Sequence, residues 1–566
     1  MRRRWTLRLL VAVMAAVLAA MALPALTNST TAQESEALVG LVHDAQSQPV
    51  EGATVRLLSA NPGETLSSAV TQADGRFLLP ITRLPAGVLT LEVQRPHFEP
   101  ASVNISTATA ARLRSGQSVE VPPISLARHI GASFWIAAGA FVLVLILIAM
   151  EDLQNTLAVL VGTAVVFGVS YLGTPLDKDL FIFNFGRAVS YIDWNVIFLI
   201  MGMMIFIAVV EGTGLFQWLG YFAYRLSGGR AWLMVPILMV SAGIVSAFLD
   251  NVTTMLLMTP ISIQIAMALG IQPLALLMPE VLGSNVIGIS TLIGTPTNIL
   301  IGSAGKISFS DFLVNLTPGV LIAMVGLIIY CEWLYWRELR SANRPSQTLL
   351  DRLQENAQIT QPDHLKKVGW VGAGMLLLFV FGDHFQLVPS VTALIGATTL
   401  LLWIRPDIEA MIEAVDWTTL VFFIGLFIVV GAIQEVGLVD VIAVTIGRVV
   451  GHNLLLTTMA IIWTSALLST VIANIPFTAA MLPVIGFLSG SVPGAADKVL
   501  YYSLSVGSAL GGNGSLIGAS ANLVTAGIAE RAGYPIKYMY FLKRGLPAMF
   551  ITVALTSLWL YFHFLH

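Results

Sequence analysis

Residues 247–302 read AFLDNVTTMLLMTPISIQIAMALGIQPLALLMPEVLGSNVIGISTLIGTPTNILIG, and the reading of this stretch decides the fold. Long apolar runs are interrupted by the carboxylate of Asp250, by Asn251, Asn285 and Asn298, and by a Thr/Gly/Pro cluster around Gly294 and Pro296. In hydrocarbon each unpaired amide or carbonyl costs several kcal/mol, so polar groups and helix breakers at that depth mark backbone that lines a protein cavity.

The rest of the chain has the same character. Its 566 residues are 56% hydrophobic and 11% charged, with a mean hydropathy of +0.82. That apolar excess is more than a water-soluble domain buries, and it reads as an all-α polytopic membrane protein whose first partner is the lipid bilayer. A net charge of -3 implies no nucleic-acid partner. The single cysteine, Cys331, lies in an apolar segment, which leaves no disulfide and no cysteine metal site and suggests an inert buried thiol. The eight histidines lie mostly outside apolar cores, and neither an H-E-x-x-H pair nor a P-loop occurs. Hydrolysis and direct ATP coupling therefore have no residues to carry them, and the chain does not read as an enzyme.

At the start, residues 1–32 combine arginines, the apolar run Leu9 to Leu23 and small residues ending near Ala32. That is a signal peptide or signal anchor, so the next segment is exported. From residue 38 to 127 the composition turns soluble, and alternating runs such as ATVRLLSA (Ala53 to Ala60) and VLTLEVQ (Val88 to Gln94) predict a small all-β sandwich. Asp74-Gly75, between SSAVTQ and RFLLPI, reads as a type I′ hairpin turn. The motifs around Gly40 and Val42, Pro49 to Val55, Asp74 to Phe77 and Pro85 to Gly87 resemble the carboxypeptidase regulatory-like domain. No catalytic set is visible in it, so it reads as a spacer or as a module open to an extracellular partner.

Apolar segments then run from Ile130 to Trp336 and from Val368 to Leu565, on either side of a polar linker, 337–367, that carries Arg337, Arg340, Arg344, Arg352, Lys366 and Lys367. The two sets are a repeat, as subtraction makes plain. Asp193 and Asp416, Gly202 and Gly425, Gly214 and Gly437, Asn251 and Asn474, and Pro260 and Pro483 all differ by 223. After one inserted residue, TLIGTPTN (Thr291 to Asn298) aligns with SLIGASAN (Ser515 to Asn522) at 224. Internal repeats with polar interruptions in corresponding places are the signature of secondary transporters.

Orientation follows by parity from the exported domain. The arm Met255 to Leu269 is short for a crossing of about 20 residues, so Trp232 to Leu269 reads as a re-entrant hairpin, and Leu454 to Leu488 as its counterpart. The linker, Arg225, Arg230, Arg531, Lys537, Lys543 and Arg544 then fall on the cytoplasmic side, with Arg448 the exception outside. Residues 130–336 form the first repeat and 368–566 an inverted second one, in a bacterial-type cytoplasmic membrane with the β domain and the C-terminus outside.

AFLDNVTTMLLMTP (247–260), SNVIGISTLIGTPTNILIGSAGKISFSDF (284–312) and GGNGSLIGASANLVTAGIAERAGYPI (511–536) resemble the ion transporter superfamily, citrate transporter-like. They are most similar to the branch of arsenite permeases, the melanosomal P protein and sodium/proton antiporters. The resemblance implies an elevator-type carrier, usually a homodimer, in which two hairpin tips and two broken helices form one site. Here the tips are Asp250 to Thr254 and Asn474 to Thr478, and the breaks are Ser290 to Asn298 and Asn513 to Asn522. The candidate substrate and ion-binding residues are therefore Asp250, Asn251, Thr253, Thr254, Asn285, Ser290, Thr291, Thr295, Asn298, Asn474, Thr478, Asn513, Ser515, Ser520 and Asn522.

Hydroxyls, amides and half-helix ends can hold either sign of charge. Asp250 faces Ala473 in the repeat, so it is the expected coupling group for H+ or Na+, with Glu280 as a second titrating group. Glu211 and Glu435 stand at segment ends, where water exposure is expected. No Lys or Arg lies in the motifs of the site. A small inorganic ion or a neutral hydroxide such as arsenite fits that site better than a highly charged organic anion. The expected function is secondary active transport of a small ion, with no cofactor beyond the coupling H+ or Na+. The alternatives are a dicarboxylate or citrate symporter, and a receptor or adhesion protein with a membrane anchor.

Overall fold

The computed structural model describes residues 37–340 and 359–566, apart from 60–64, 82–84, 86–87, 116, 151–152 and 451–452. The signal segment and the middle of the linker lie outside the described residues. The chain divides into two compact units, Met1–His129 and Ile130–His566.

The first unit is a sandwich of two four-stranded sheets. One joins β1 (Ala37–Asp44) to β4 (Arg76–Pro80), β7 (Val119–Glu120) and β8 (Ile124–Leu126); the other has the order β3 (Thr65–Val70), β2 (Thr54–Ser59), β5 (Leu89–Gln94), β6 (Ala101–Ile105). Alternate residues Val55 and Leu57, Phe77 and Leu79, and Leu89, Leu91 and Val93 are buried between the sheets, as period-2 patterning requires. A short helix, α1 (Thr107–Arg114), closes one end with Ala110 and Leu113.

The expected hairpin at Asp74-Gly75 is not one. β3 pairs with β2 and β4 with β1, so the turn carries the chain from one sheet to the other. The Gly75 N–H donates to the Gln72 carbonyl at 2.9 Å. Gly75 has a positive φ and Asp74 does not, whereas a type I′ turn needs both. The apolar alternation on either side of Asp74-Gly75 was read correctly, but it does not say which strand each run pairs with.

Among the described residues of the second unit, eleven helices are long and apolar enough to cross a membrane. In chain order its helices are α2 (Ala132–Met150), α3 (Asn155–Gly168), α4 (Phe185–Ser190), α5 (Trp194–Glu211), α6 (Leu215–Ser227), α7 (Ala231–Phe248), α8 (Asn251–Leu269), α9 (Leu274–Gly288), α10 (Pro296–Gly305), α11 (Phe309–Leu334) and α12 (Trp336–Arg340). Beyond the linker come α13 (Pro362–Phe381), α14 (Pro389–Ile404), α15 (Ile408–Glu413), α16 (Trp417–Glu435), α17 (Leu438–Val450), α18 (Leu454–Val471), α19 (Asn474–Ser491), α20 (Val499–Gly511), α21 (Ser520–Arg531) and α22 (Tyr538–Leu560).

Five successive helix starts, from α4 to α8, recur 223 residues later in α15 to α19. The same capping chemistry recurs with them. Asp193 and Asp416 each accept a backbone N–H at the head of α5 and α16, and Asn184 and Asp407 do so for α4 and α15.

Three expectations change. Thr253 and Asp250 start α8 at Asn251, so the arm has 19 residues, about 28 Å at 1.5 Å per residue, and is not short. The turns between arms are only Leu249-Asp250 and Ile472-Ala473, and the remaining tip residues form the first turns of α8 and α19. Glu435 is not water-exposed: it is 6% accessible. The Arg187 guanidinium donates to it at 2.9 Å and the Tyr191 hydroxyl donates to the same oxygen, which ties α4 to the end of α16. Glu211 is exposed, as expected.

A carboxylate so placed is held by its partners, and removing it takes away the acceptor to which Arg187 and Tyr191 both donate. Glu435→Ala should lower stability by roughly 2–4 kcal/mol, and Glu435→Gln should cost less because it keeps an acceptor for Tyr191. Thermal unfolding in detergent checks this.

Candidate functional site

Each half contains one interrupted helix. The first interruption, residues 289–295, lies between α9 and α10; the second, residues 512–519, lies between α20 and α21 and opens with a single 3-10 turn. Released backbone groups need partners, and both halves supply them in the same way. The Thr291 hydroxyl donates to the Ala247 carbonyl and the Ser515 hydroxyl to the Thr470 carbonyl, so each break is tied to the last turn of the preceding arm. Asn298 donates through Nδ2 to the carbonyls of Ile289 and Thr291, at 2.9 and 2.8 Å. Asn522 does the same to Gly512 and Ser515, at 2.8 and 2.9 Å.

Two glycines make this approach possible. A Cβ on Gly294 would collide with the carbonyl oxygens of Gly288 and Ser246, and one on Gly518 with those of Gly512 and Ser469. The backbone of each break thus lies directly on the chain it interrupts, with no room for a side chain.

The two halves meet at Asn285, one of the last residues of α9. Its Oδ1 accepts from Asn251 Nδ2 at 2.7 Å, and its Nδ2 donates to the Oδ1 atoms of Asn513 and Asn522 at 2.8 and 3.0 Å. A second bridge runs from the Ser505 hydroxyl to Asn298 Oδ1 at 2.6 Å. Asn251, Asn285, Asn298, Asn513, Asn522 and Ser505 are all buried.

The other candidates divide into local and unpartnered groups. Asp250 Oδ1 accepts the Thr253 N–H at 2.9 Å and Oδ2 its hydroxyl at 2.6 Å, while the Thr254 hydroxyl donates to the Asp250 carbonyl at 2.9 Å. Thr295 caps α10, and the Ser290 hydroxyl donates to Ile287 within its own turn. Asn474 gives its backbone N–H to Gly518 at 3.2 Å. Thr478 is buried with no hydrogen-bond partner for its hydroxyl, and Glu280 with none for either carboxylate oxygen. No hydrogen bond joins Asp250 to Glu280, so the structure does not bring the two expected coupling groups together.

The halves differ at their helix heads. Asp250 and Thr295 close α8 and α10, whereas Ala473 and Ala519 leave α19 and α21 without a side-chain cap. Beside those open heads lies a cavity of about 350 Å³ whose described lining comprises Ala473, Ile517, Ser520, Leu523, Gln154, Asn155 and apolar neighbours, none of them charged. Gln154, Asn155 and Ser505 were not among the sequence candidates. Ser505 could have been found from the serine spacing in α20; the other two stand at the head of α3 with no distinguishing pattern.

Asn285→Ala would strand polar atoms on Asn251, Asn513 and Asn522, each at about 1–3 kcal/mol. It should therefore reduce thermal stability more than Thr253→Ala, an exchange confined to one helix cap. Gly294→Ala and Gly518→Ala should be similarly damaging. Melting temperatures of the purified variants measure all four.

Residues 145–502 match the citrate transporter family and residues 37–122 the carboxypeptidase regulatory-like domain. An uncharacterized transporter of Mycobacterium tuberculosis is 35% identical over 435 residues, covering 76% of this chain and 99% of that protein. The human P protein is 31% identical over 497 residues, covering 74% of this chain and 58% of that protein. The crystal structure of the Alcanivorax borkumensis YdaH transporter aligns with a TM-score of 0.49 at 13% identity, over 76% of this chain and 97% of that one. With a family match across most of the membrane unit and a relative 35% identical along nearly its whole length, the chain is an integral membrane protein that belongs to the citrate transporter family.

Proposed function

We propose that this transporter is a secondary active carrier of a small ion, coupled to protons or sodium, of the arsenite/anion permease or sodium/proton antiporter type. One observation carries the reading: the broken backbones of both halves converge through Asn285, and the cavity of about 350 Å³ at the heads of α19 and α21 has no charged side chain among its described lining residues. Neutral amides and hydroxyls suit a small ion or a neutral hydroxide, because either can be desolvated there without a fixed counter-charge. A highly charged organic anion would lack a cation to meet it.

In this reading α7–α8 and α18–α19 are re-entrant hairpins of an inverted repeat, with the β domain and the C-terminus outside. The two-residue turns and the ties from each turn to the adjacent break support it. Ser520 and the Asn474 to Thr478 turn supply the substrate side from the second half, and Asp250 with Thr253 and Thr254 the coupling side from the first. A homodimer is the proposed assembly. The uncapped head of α21 favours a second reading, a dicarboxylate or citrate symporter, since free N–H groups at a helix start attract anions.

Flux into proteoliposomes under separately imposed proton and sodium gradients, with sodium, arsenite and citrate as probes, distinguishes these. Gradient-driven movement of sodium or arsenite is the expected result, and citrate uptake would favour the symporter. Asp250→Asn should abolish acceleration by the driving gradient. Intact gradient-driven flux in that variant would rule out the coupling role.

A further inference from the structure

Glu280 is the most deeply isolated acid among the described residues. It is fully buried in α9, and neither carboxylate oxygen has a hydrogen-bond partner. Its polar neighbour is the Ser262 hydroxyl of α8, itself unpartnered, and Ser284, one turn further along α9, is unpartnered too.

Among the described residues, no opposite charge faces it. The elements packed on α9 are α7, α8, α11, α20, α21, α22 and the 512–514 turn. α7, α8 and the turn contain no titratable side chain. At the head of α8, Asp250 is held by Thr253. On α11, Asp311 is held in its own capping box, while Tyr330, Cys331 and Glu332 lie at the far end. Tyr501 and Tyr502 belong to the start of α20, and Glu530 and Arg531 to the end of α21. On α22, Arg544 stacks on Tyr540, and Tyr538 and Lys543 lie in the same opening turns. None of these forms an ion pair or hydrogen bond with Glu280.

An ionised carboxylate in such a place is heavily disfavoured, whereas a carboxylic acid needs only one acceptor for its O–H. Ser262 and Ser284 are within the same cluster to provide it. The position belongs to one half alone: Gly283 and Ser284 correspond to Gly507 and Ser508, which puts Leu504 opposite Glu280.

We propose that Glu280 is a proton-binding site of this transporter. It holds a proton on its carboxyl group, with the Ser262 hydroxyl as the neighbouring acceptor. Because Asn285 lies five residues further along the same helix, a change of charge at Glu280 acts on the helix that joins the two halves. This assignment rests on the transport reading and adds a titrating group to the half that carries Asp250.

The test is infrared difference spectroscopy of the full-length protein in proteoliposomes, stepped in pH. Wild type should show an un-ionised carboxyl band at neutral pH that is lost on alkalinisation. Glu280→Gln should lack that band, and Ser262→Ala should keep it with a displaced midpoint. The same titrating band in Glu280→Gln as in wild type would overturn the proposal. Should Glu280→Gln not fold, an unchanged midpoint in Ser262→Ala would overturn it. The transport reading fails separately, if wild type moves none of sodium, arsenite and citrate while the band persists.

Discussion

Everything in the membrane unit depends on how two stretches of unwound backbone satisfy their carbonyls where water is scarce. Asn298 and Asn522 each use one amide to hold two carbonyls of their own break, and Thr291 and Ser515 fasten each break to the arm before it. Hydrogen bonds of this kind are worth little net, but leaving them unmade is expensive. The constraint therefore acts less as a source of stability than as a filter on geometry: few arrangements other than this one leave so few carbonyls stranded. Gly294 and Gly518 are part of the same filter, since only a residue without Cβ lets the two backbones touch.

On that common frame the halves have been given different chemistry. The first half has carboxylates at Asp250 and Glu280 and capped helix heads. The second has Ala473 and Leu504 in those places and open heads beside a cavity. In the proposed reading one half offers groups that exchange protons or bind cations, and the other offers space and N–H donors. A carrier that couples two species needs two unlike sites in mechanical contact, and a duplicated scaffold with diverged side chains is a direct way to have them.

Much of this was legible before any coordinates. Residue pairs 223 apart located the repeat, and the helix starts keep that spacing from Phe185 to Asn251. Of the candidate asparagines, Asn251, Asn285, Asn513 and Asn522 interlock and Asn298 bonds across the halves to Ser505, whereas Asn474 joins through its backbone N–H. What was missed was missed for physical reasons. The Arg187–Glu435 pair joins residues 248 positions apart, and no local pattern announces a partner at that distance. The amphipathic helices α6 and α17 are too short and too polar on one face to register as apolar runs. The turn at Asp74-Gly75 has the right composition for a hairpin, but strand pairing is decided by which sheet buries Phe77 and Leu79, not by the turn itself.

Asn285 has no twin: the corresponding position in the second half is Ala509. Its partner Asn513 likewise corresponds to Ile289. Two copies of the first half would bring together two such amides with no Asn513 to receive them, and two copies of the second would have no central amide at all. The junction is therefore asymmetric: the amide and its acceptor are divided between the halves, so neither half can stand in for the other there.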